Sequence, residues 1–103
     1  MIIGGVNVFP SQIETVLMNI PEVGNNYQIV LEREGGLDRM YIKVEIYSKM
    51  FHGDLKELKK LKSEIVEKLR SVIMISARIE LLEPGSLPSS TGKAVRVSDN
   101  RKI

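Results

Sequence analysis

The residue most suited to chemistry is Lys93, which ends a segment of small and hydroxylated residues that runs Pro88-Ser-Ser-Thr-Gly-Lys93. No apolar period passes through this segment, so its composition predicts a loop that carries the lysine away from the core. A lysine ammonium is a compact charge with three donors, suited to stabilising negative charge that develops during a reaction. Many surface turns also contain a Gly-Lys pair, so the residue types alone are equally compatible with an exposed lysine that has no catalytic role.

Other residue types that carry chemistry are scarce. His52 is the only histidine and stands beside Gly53, and the chain has no cysteine. We expect a solvated loop histidine, and without thiols the chain can form no disulfide, thiolate zinc site or cysteine nucleophile. Gly35-Gly36 is predicted to be a turn between strands, because a phosphate cradle would open a helix. No serine lies in the Gly-x-Ser-x-Gly pattern of hydrolases.

The charge balance argues against a nucleic-acid partner. Fifteen Lys+Arg against thirteen Asp+Glu leave a formal charge of +2, and the signs are interspersed outside one stretch of the second predicted helix. In that stretch Lys56, Lys59, Lys60 and Lys62 are interrupted by glutamates, which indicates a solvated helix face. No apolar run approaches about 18 residues, so no membrane partner is expected. The absence of cysteine is compatible with a reducing cytoplasm, where we expect the protein to lie.

The first element that must position these residues is a short amphipathic helix. Apolar residues recur at i, i+3, i+4 and i+7, namely Ile13, Val16, Leu17 and Ile20. Pro10 suits the first helical position, while Ser11 and Glu14 have the spacing of a capping box. Pro21 is expected to end the helix, because proline cannot continue the hydrogen-bond ladder.

Two alternating runs flank Gly35-Gly36 and predict a β-hairpin. The alternating apolar positions are Tyr27, Ile29 and Leu31 in the first run, and Met40, Ile42, Val44 and Ile46 in the second. The two glycines supply the positive φ angles that a tight connection demands. Lys43, Glu45 and Tyr47 fall on the opposite face of the second strand, where we expect them to face solvent or a partner.

A long second helix is predicted to begin at Asp54, with Glu57 completing a capping box. Its predicted buried stripe is Leu55, Leu58, Leu61, Ile65, Leu69, Val72 and Ile73. A third strand alternates at Ala77, Ile79 and Leu81, and Glu83-Pro84-Gly85 breaks its pattern. A last strand-like run covers Ala94 to Val97. The predicted fold class is α+β, with a small sheet packed against two helices in one domain spanning residues 1–103.

Segments at both ends of the chain resemble phenylacetate-CoA ligases of the adenylate-forming acyl-CoA synthetase superfamily. These segments are Gly5–Glu14, which reads GVNVFPSQIE, and Glu83–Val97, which reads EPGSLPSSTGKAVRV. Between them, Ile20–Gly24, Tyr27–Val30 and Arg33–Asp38 follow the order and spacing of that family's C-terminal domain. The resemblance covers nearly the whole chain and implies the fold of the family's C-terminal lid domain.

The resemblance also implies a two-step reaction. A carboxylic acid and ATP, with Mg²⁺, form an acyl-adenylate and pyrophosphate, and the thiol of coenzyme A then displaces AMP to give a thioester. A large N-terminal domain binds ATP and the acid, and the small domain turns between two poses. The implied partners are therefore that N-terminal domain and a small-molecule acid, and the implied setting is phenylacetate catabolism.

Two parts of the chain match functional segments of the family. Lys93 matches the lysine that enters the active site for adenylation, and Ser90, Thr91 and Gly92 match the loop that supports it. Gly5, Val6 and Asn7 match the loop that faces coenzyme A in the thioester-forming pose. The missing side chain at Gly5 would let the backbone approach the thin pantetheine arm closely.

Two other interpretations stay open at this stage. The first is a free-standing α+β module that binds a ligand or partner without catalysis. The second is the lid of a related synthetase that adenylylates a deazaflavin cofactor and needs no thiol acceptor. Because the family's hinge residue lies upstream of Met1, we expect a fragment of a longer enzyme that is inactive alone and binds no cofactor by itself.

Overall fold

A computed structural model describes residues 2–47, 55–87 and 97–101 of the chain. Its elements are β1 (Ile2–Ile3), β2 (Val6–Asn7), α1 (Pro10–Met18), β3 (Val23–Glu34), β4 (Leu37–Ile46), α2 (Leu55–Ile73), β5 (Arg78–Leu82) and β6 (Val97–Asp99). The strands form a two-stranded hairpin, β1–β2, and a four-stranded sheet of order β5-β4-β3-β6. The predicted α+β class, a small sheet with two helices, is confirmed.

The centre of the larger sheet is the antiparallel hairpin β3–β4. Glu34 pairs with Leu37, so Gly35 and Gly36 alone form the turn, with φ angles of 56° and 80°. Positive φ at both central residues is typical of the type I′ turn, whose twist matches that of the strands it joins. The predicted hairpin is therefore confirmed. β5 runs parallel to β4 and β6 runs parallel to β3, so these two shorter strands form the edges.

The core lies between one face of this sheet and the two helices. The sheet contributes Ile29, Leu31, Met40, Ile42, Val44, Ile46 and Ile79, and the helices contribute Ile13, Val16, Leu17, Leu61, Ile65, Leu69 and Ile73. The predicted stripe of α2 is wrong at its edges, since Leu55 is 72% exposed and Val72 is 45% exposed. At about 100° per residue, Leu55 lies roughly 120° around the helix from Leu61, which places it off the buried face. The expected cap at Asp54 lies outside the described residues.

The start of α1 follows one of its two sequence signals. Phe9 is the N-cap in extended conformation, with φ −104° and ψ 132°, and Pro10 is the first helical residue. The side-chain oxygen of Gln12 accepts a hydrogen bond from the Phe9 amide at 2.9 Å. The predicted capping box from Ser11 to Glu14 is wrong, because Ser11 lies inside the helix, where its carbonyl accepts a hydrogen bond from Thr15. α1 ends at Met18, three residues before Pro21.

Candidate functional site

The first candidate segment contains Lys93, and the structure describes only the residues on either side of it. Lys93 and its supporting residues Ser90, Thr91 and Gly92 lie outside the described residues. The described chain stops at Leu87 before this segment and resumes at Val97 after it. How these two residues are held therefore sets where the segment begins and ends.

A tight turn leads into the segment. The Ser86 amide donates a hydrogen bond to the Glu83 carbonyl at 3.2 Å, which closes a four-residue turn. Pro84 occupies its second position, and Gly85 has a φ of 83° at its third. This is the pattern of a type II turn, which requires positive φ where Gly85 stands. The turn also directs two backbone amides of the flank toward the sheet.

Glu45 receives those amides. The prediction that Glu45 faces solvent or a partner is wrong, because this residue is only 5% exposed. Its carboxylate accepts hydrogen bonds from the Gly85 amide and the Leu87 amide, each at 2.9 Å, and from the Asn26 side chain at 3.5 Å. Strand alternation correctly placed Glu45 on the face opposite the core, but the turn at Gly85 covers that position. Tyr47, on the same face, is 46% exposed as expected.

The other flank is built into the sheet. β6 pairs with β3, with Val97 opposite Ile29, and the Asn100 amide donates to the Leu31 carbonyl at 2.8 Å. Lys93 is four residues from Val97 in the sequence. The sheet therefore fixes the position of Val97, the first described residue after the segment.

The predicted CoA-facing loop is a small hairpin at the other end of the chain. β1 and β2 pair so that Ile3 stands opposite Val6, and Gly4 and Gly5 form the turn with φ angles of 54° and 81°. A Cβ added at Gly5 would meet no atom of the described residues within 4 Å, although its positive φ would strain any side chain. Gly5, Val6 and Asn7 are all exposed, so this turn offers mainly backbone to an approaching molecule.

A cluster of charged residues, Arg33, Asp38, Asp99 and Arg101, lies against this hairpin. Asp38 accepts a hydrogen bond from the Gly4 amide at 3.0 Å and pairs with Arg33 and Arg101, each at 3.2 Å. Arg101 also donates to the Ile2 carbonyl at 2.6 Å. Its remaining donors form two bonds of 2.9 Å to the two carboxylate oxygens of Asp99. The cluster therefore joins both ends of the chain to the start of β4.

The acids of the cluster are stabilised in their charged forms. The hydrogen bond from the Gly4 amide, helped by Arg33 and Arg101, lowers the pKa of Asp38 below its usual value, although partial burial opposes this. Side-chain and backbone hydrogen bonds from Arg101 lower the pKa of Asp99 to about 2. The same contact with Asp99 raises the pKa of Arg101. Asp38, Asp99 and Arg101 thus stay ionised near neutral pH.

Sequence reasoning missed the roles of Asp38, Arg101 and Glu45. Asp38 lies in a segment that carries the family resemblance, but nothing local shows that its partner stands 63 positions away. The described residues contain no cluster of three or more potential metal ligands. Within that same part of the chain, no helix has the length and apolar character needed to cross a membrane.

Comparison with known families defines the class of protein. Residues 5–101 match the family described as AMP-binding enzyme C-terminal domain, and the chain belongs to that family. The match begins at Gly5, the second residue of the Gly4–Gly5 turn, and ends at Arg101, so it includes β2 and the arginine that contacts β1.

Within this family, the resemblance to phenylacetate-CoA ligases is confirmed. The chain is 40% identical over 115 residues to the phenylacetate-coenzyme A ligase of Thermus thermophilus, covering 99% of this chain and 26% of that protein. The chain therefore spans about a quarter of the length of this relative.

Two solved structures share the fold. A domain of phenylacetate-coenzyme A ligase from Bacteroides vulgatus superposes with a TM-score of 0.90 at 42% identity, covering 100% of this chain and 93% of that one. A 2-hydroxyisobutyryl-CoA ligase, solved with 2-HIB-AMP and CoA in its thioesterification state, superposes with a TM-score of 0.89 at 30% identity. That match covers 97% of this chain and 21% of the ligase.

Proposed function

We propose that this chain is the C-terminal domain of an AMP-forming acid-CoA ligase of the phenylacetate type. The observation that carries the proposal is the match of residues 5–101 to the C-terminal domain family. The relative that matches 99% of this chain is a CoA ligase. The domain spans residues 1–103 and works with a larger N-terminal domain. Fold alone supports no activity, so the residues of the two candidate segments carry the chemistry.

Lys93 acts in the first half-reaction. A carboxylate oxygen of the acid attacks the α-phosphorus of ATP, the bond to the pyrophosphate breaks, and an acyl-adenylate forms. Negative charge develops on the transferring phosphoryl group, and a positioned ammonium stabilises it. Ser90, Thr91 and Gly92 support this lysine, and the flanks of their segment are held by Glu45 and by β3.

The β1–β2 hairpin acts in the second half-reaction. The thiol sulfur of coenzyme A attacks the acyl carbon, the bond to AMP breaks, and the thiol proton leaves to solvent. Gly5, Val6 and Asn7 lie along the pantetheine arm in this pose. The backbone of Gly5 can lie close to that arm because no side chain extends from its turn.

The nucleotide, the magnesium ion and the acid belong to the N-terminal domain. The resemblance implies that ATP, Mg²⁺ and the acid bind to the N-terminal domain. The C-terminal domain, which is the present chain, contributes Lys93 and the β1–β2 hairpin to the shared active site. The complete enzyme acts on a small-molecule acid in the cytoplasm.

The experiment that tests this function is an assay of the full-length enzyme against a panel of aryl and aliphatic acids with ATP, Mg²⁺ and coenzyme A. We expect AMP and a thioester with at least one aryl acid, and no turnover by residues 1–103 alone. Acyl-adenylate without any thioester would favour a synthetase with a different acceptor. Pyrophosphate release by the isolated chain at the rate of the full enzyme would sink the proposal.

A further inference from the structure

The β1–β2 hairpin is too small to hold its own shape. Each of its strands has two residues, and an isolated hairpin is marginally stable even when it is longer. Its turn consists of two glycines, which have wider backbone freedom than any other residue. The buried side chains of Ile3 and Val8 anchor the two strands to the core. These two side chains form no hydrogen bonds, so the polar backbone groups beside the turn need other partners.

The charged cluster holds those groups. Asp38 accepts the Gly4 amide with its Oδ2 atom, and Arg101 donates to both that oxygen and the Ile2 carbonyl through one nitrogen, Nη1. Both side chains are largely buried, with 14% of Asp38 and 12% of Arg101 exposed. Charge-assisted hydrogen bonds of this kind are stronger and more directional than neutral ones. The start of the turn is therefore restrained at two backbone groups, the Ile2 carbonyl and the Gly4 amide.

Asp99 fixes the orientation of the arginine. Two nitrogens of Arg101, Nε and Nη2, donate to its carboxylate in a forked pair, which leaves Nη1 directed at β1. A planar guanidinium can bind a carboxylate through this fork while its third nitrogen is held toward a carbonyl. A lysine at position 101 would keep the charge and lose the fork.

We propose that Arg101 and Asp38 are positioning residues for the thioester half-reaction, because they hold the Gly4–Gly5 turn at the geometry in which it meets coenzyme A. This inference rests on the proposed function, in which the hairpin faces the pantetheine arm. Both side chains act through the turn and not by contact with the substrate. A displacement of about 1 Å in a positioning group can cost about a hundredfold in rate.

The test uses Arg101→Lys and Asp38→Asn in the full-length enzyme, with single-turnover measurement of each half-reaction. We expect thioester formation from supplied acyl-adenylate to slow by about tenfold to a hundredfold, and adenylation to stay within about twofold. The matched control is Arg78→Lys, since Arg78 is an exposed arginine on β5, at the sheet edge opposite β6. It should leave both steps within about twofold.

A physical readout on the 103-residue chain accompanies the kinetics. The Gly4 amide should exchange its hydrogen at least about tenfold faster in Asp38→Asn than in the parent, because it loses a charged acceptor. The thermal unfolding curve shows whether either variant is unfolded, and the other variant then decides the outcome. Equal slowing of both half-reactions, or no slowing of either, would overturn the inference.

Gly5→Trp, made in parallel, separates this inference from the function on which it rests. If Gly5→Trp slows thioester formation while Arg101→Lys and Asp38→Asn do not, the hairpin meets coenzyme A and the positioning role is wrong. If Gly5→Trp has no effect on thioester formation, the CoA-facing role itself is wrong, and the positioning role fails with it.

Discussion

At the scale of single residues, the two candidate segments differ in how much of each lies among the described residues. Gly5 lies in a turn with a φ of 81°, while only the flanks of the Lys93 segment, Leu87 and Val97, belong to the described residues. Each of the two residues is proposed to serve one half-reaction only. Measuring the half-reactions separately is therefore the sharpest test available.

Lys93→Ala in the full-length enzyme should slow adenylation severely. Removing one donor aimed at transition-state charge costs roughly 2.7–4 kcal/mol in comparable sites, which is about a hundredfold to a thousandfold in rate. Thioester formation from supplied acyl-adenylate should survive largely intact, because the proposed function gives Lys93 a role in the first half-reaction only. Stability should change by no more than about 0.5 kcal/mol, because the sequence predicts an exposed loop side chain at position 93.

Lys59→Ala is the matched control for Lys93→Ala, because Lys59 is an exposed lysine on α2. It should leave both half-reactions unchanged. The assignment of Lys93 would be wrong if its replacement slowed the two steps equally or left adenylation intact.

Gly5→Trp should harm thioester formation by about tenfold or more and leave adenylation within about twofold, because the indole would occupy the path of the pantetheine arm. The backbone itself is a confounding factor, since Gly5 has a φ of 81°. Gly36→Trp controls for that strain, because Gly36 has a φ of 80° and equally open surroundings in the other hairpin. Similar kinetic losses in both variants would show that strain, not contact with coenzyme A, is responsible.

At the scale of elements, the carboxylate of Glu45 on β4 binds the turn that precedes the lysine segment. A buried carboxylate is costly unless hydrogen bonds satisfy it, and here the described partners of Glu45 are all neutral N–H donors. The backbone amides of the turn are satisfied by the same contacts. Removing the charge therefore affects both sides of the contact.

Glu45→Gln should loosen the flank at Gly85 and Leu87. A glutamine offers one acceptor oxygen instead of two, so one of the two amides loses its partner. A hydrogen bond to a charged group contributes about 1.5–3 kcal/mol, so exchange at that amide should quicken by at least about tenfold. Amide hydrogen exchange followed by NMR measures this directly.

Glu80→Gln is the control for the flank, since Glu80 is exposed on the neighbouring strand β5. It should leave the exchange of both amides unchanged. Unaltered exchange at Gly85 and Leu87 in the Glu45 variant would mean that the turn holds its shape without the carboxylate.

At the scale of the whole molecule, Arg101 joins the two ends of the chain, because its guanidinium contacts Ile2 across 99 positions of sequence. Asp99 is part of that junction, and its pKa falls to about 2 in the folded protein. An aspartate with a folded pKa below its unfolded value stabilises the fold fully above about pH 4, and this stabilisation is lost as the pH falls through about 2.

Urea unfolding of the chain between pH 7 and pH 2 should therefore show a steeper loss of stability in the parent than in Asp99→Asn. The difference should be under about 1 kcal/mol, because 46% of the Asp99 side chain is exposed and solvent screens the pair. Added salt should reduce it further. Stability curves that stay parallel between pH 4 and pH 2 would contradict this role for Asp99.

Much of the architecture was determined by local sequence. The alternation around Gly35-Gly36 predicts the β3–β4 hairpin because strand period and turn chemistry act over neighbouring residues. The apolar spacing predicts both helices for the same reason, although it overextends the stripe of α2 to Leu55 and Val72. The end segments of the chain were enough to indicate its family, which the comparison confirms.

Only the tertiary structure decided what covers each face and which distant residues meet. Alternation assigns Glu45 to the face opposite the core but cannot show that the Gly85 turn folds over it 40 positions later. Strands of two residues are too short for any period, so the β1–β2 hairpin escapes pattern reasoning as well. Asp38 and Arg101 are ordinary charged residues in sequence, and they become a buried pair because strand pairing brings β6 and β4 against the start of the chain.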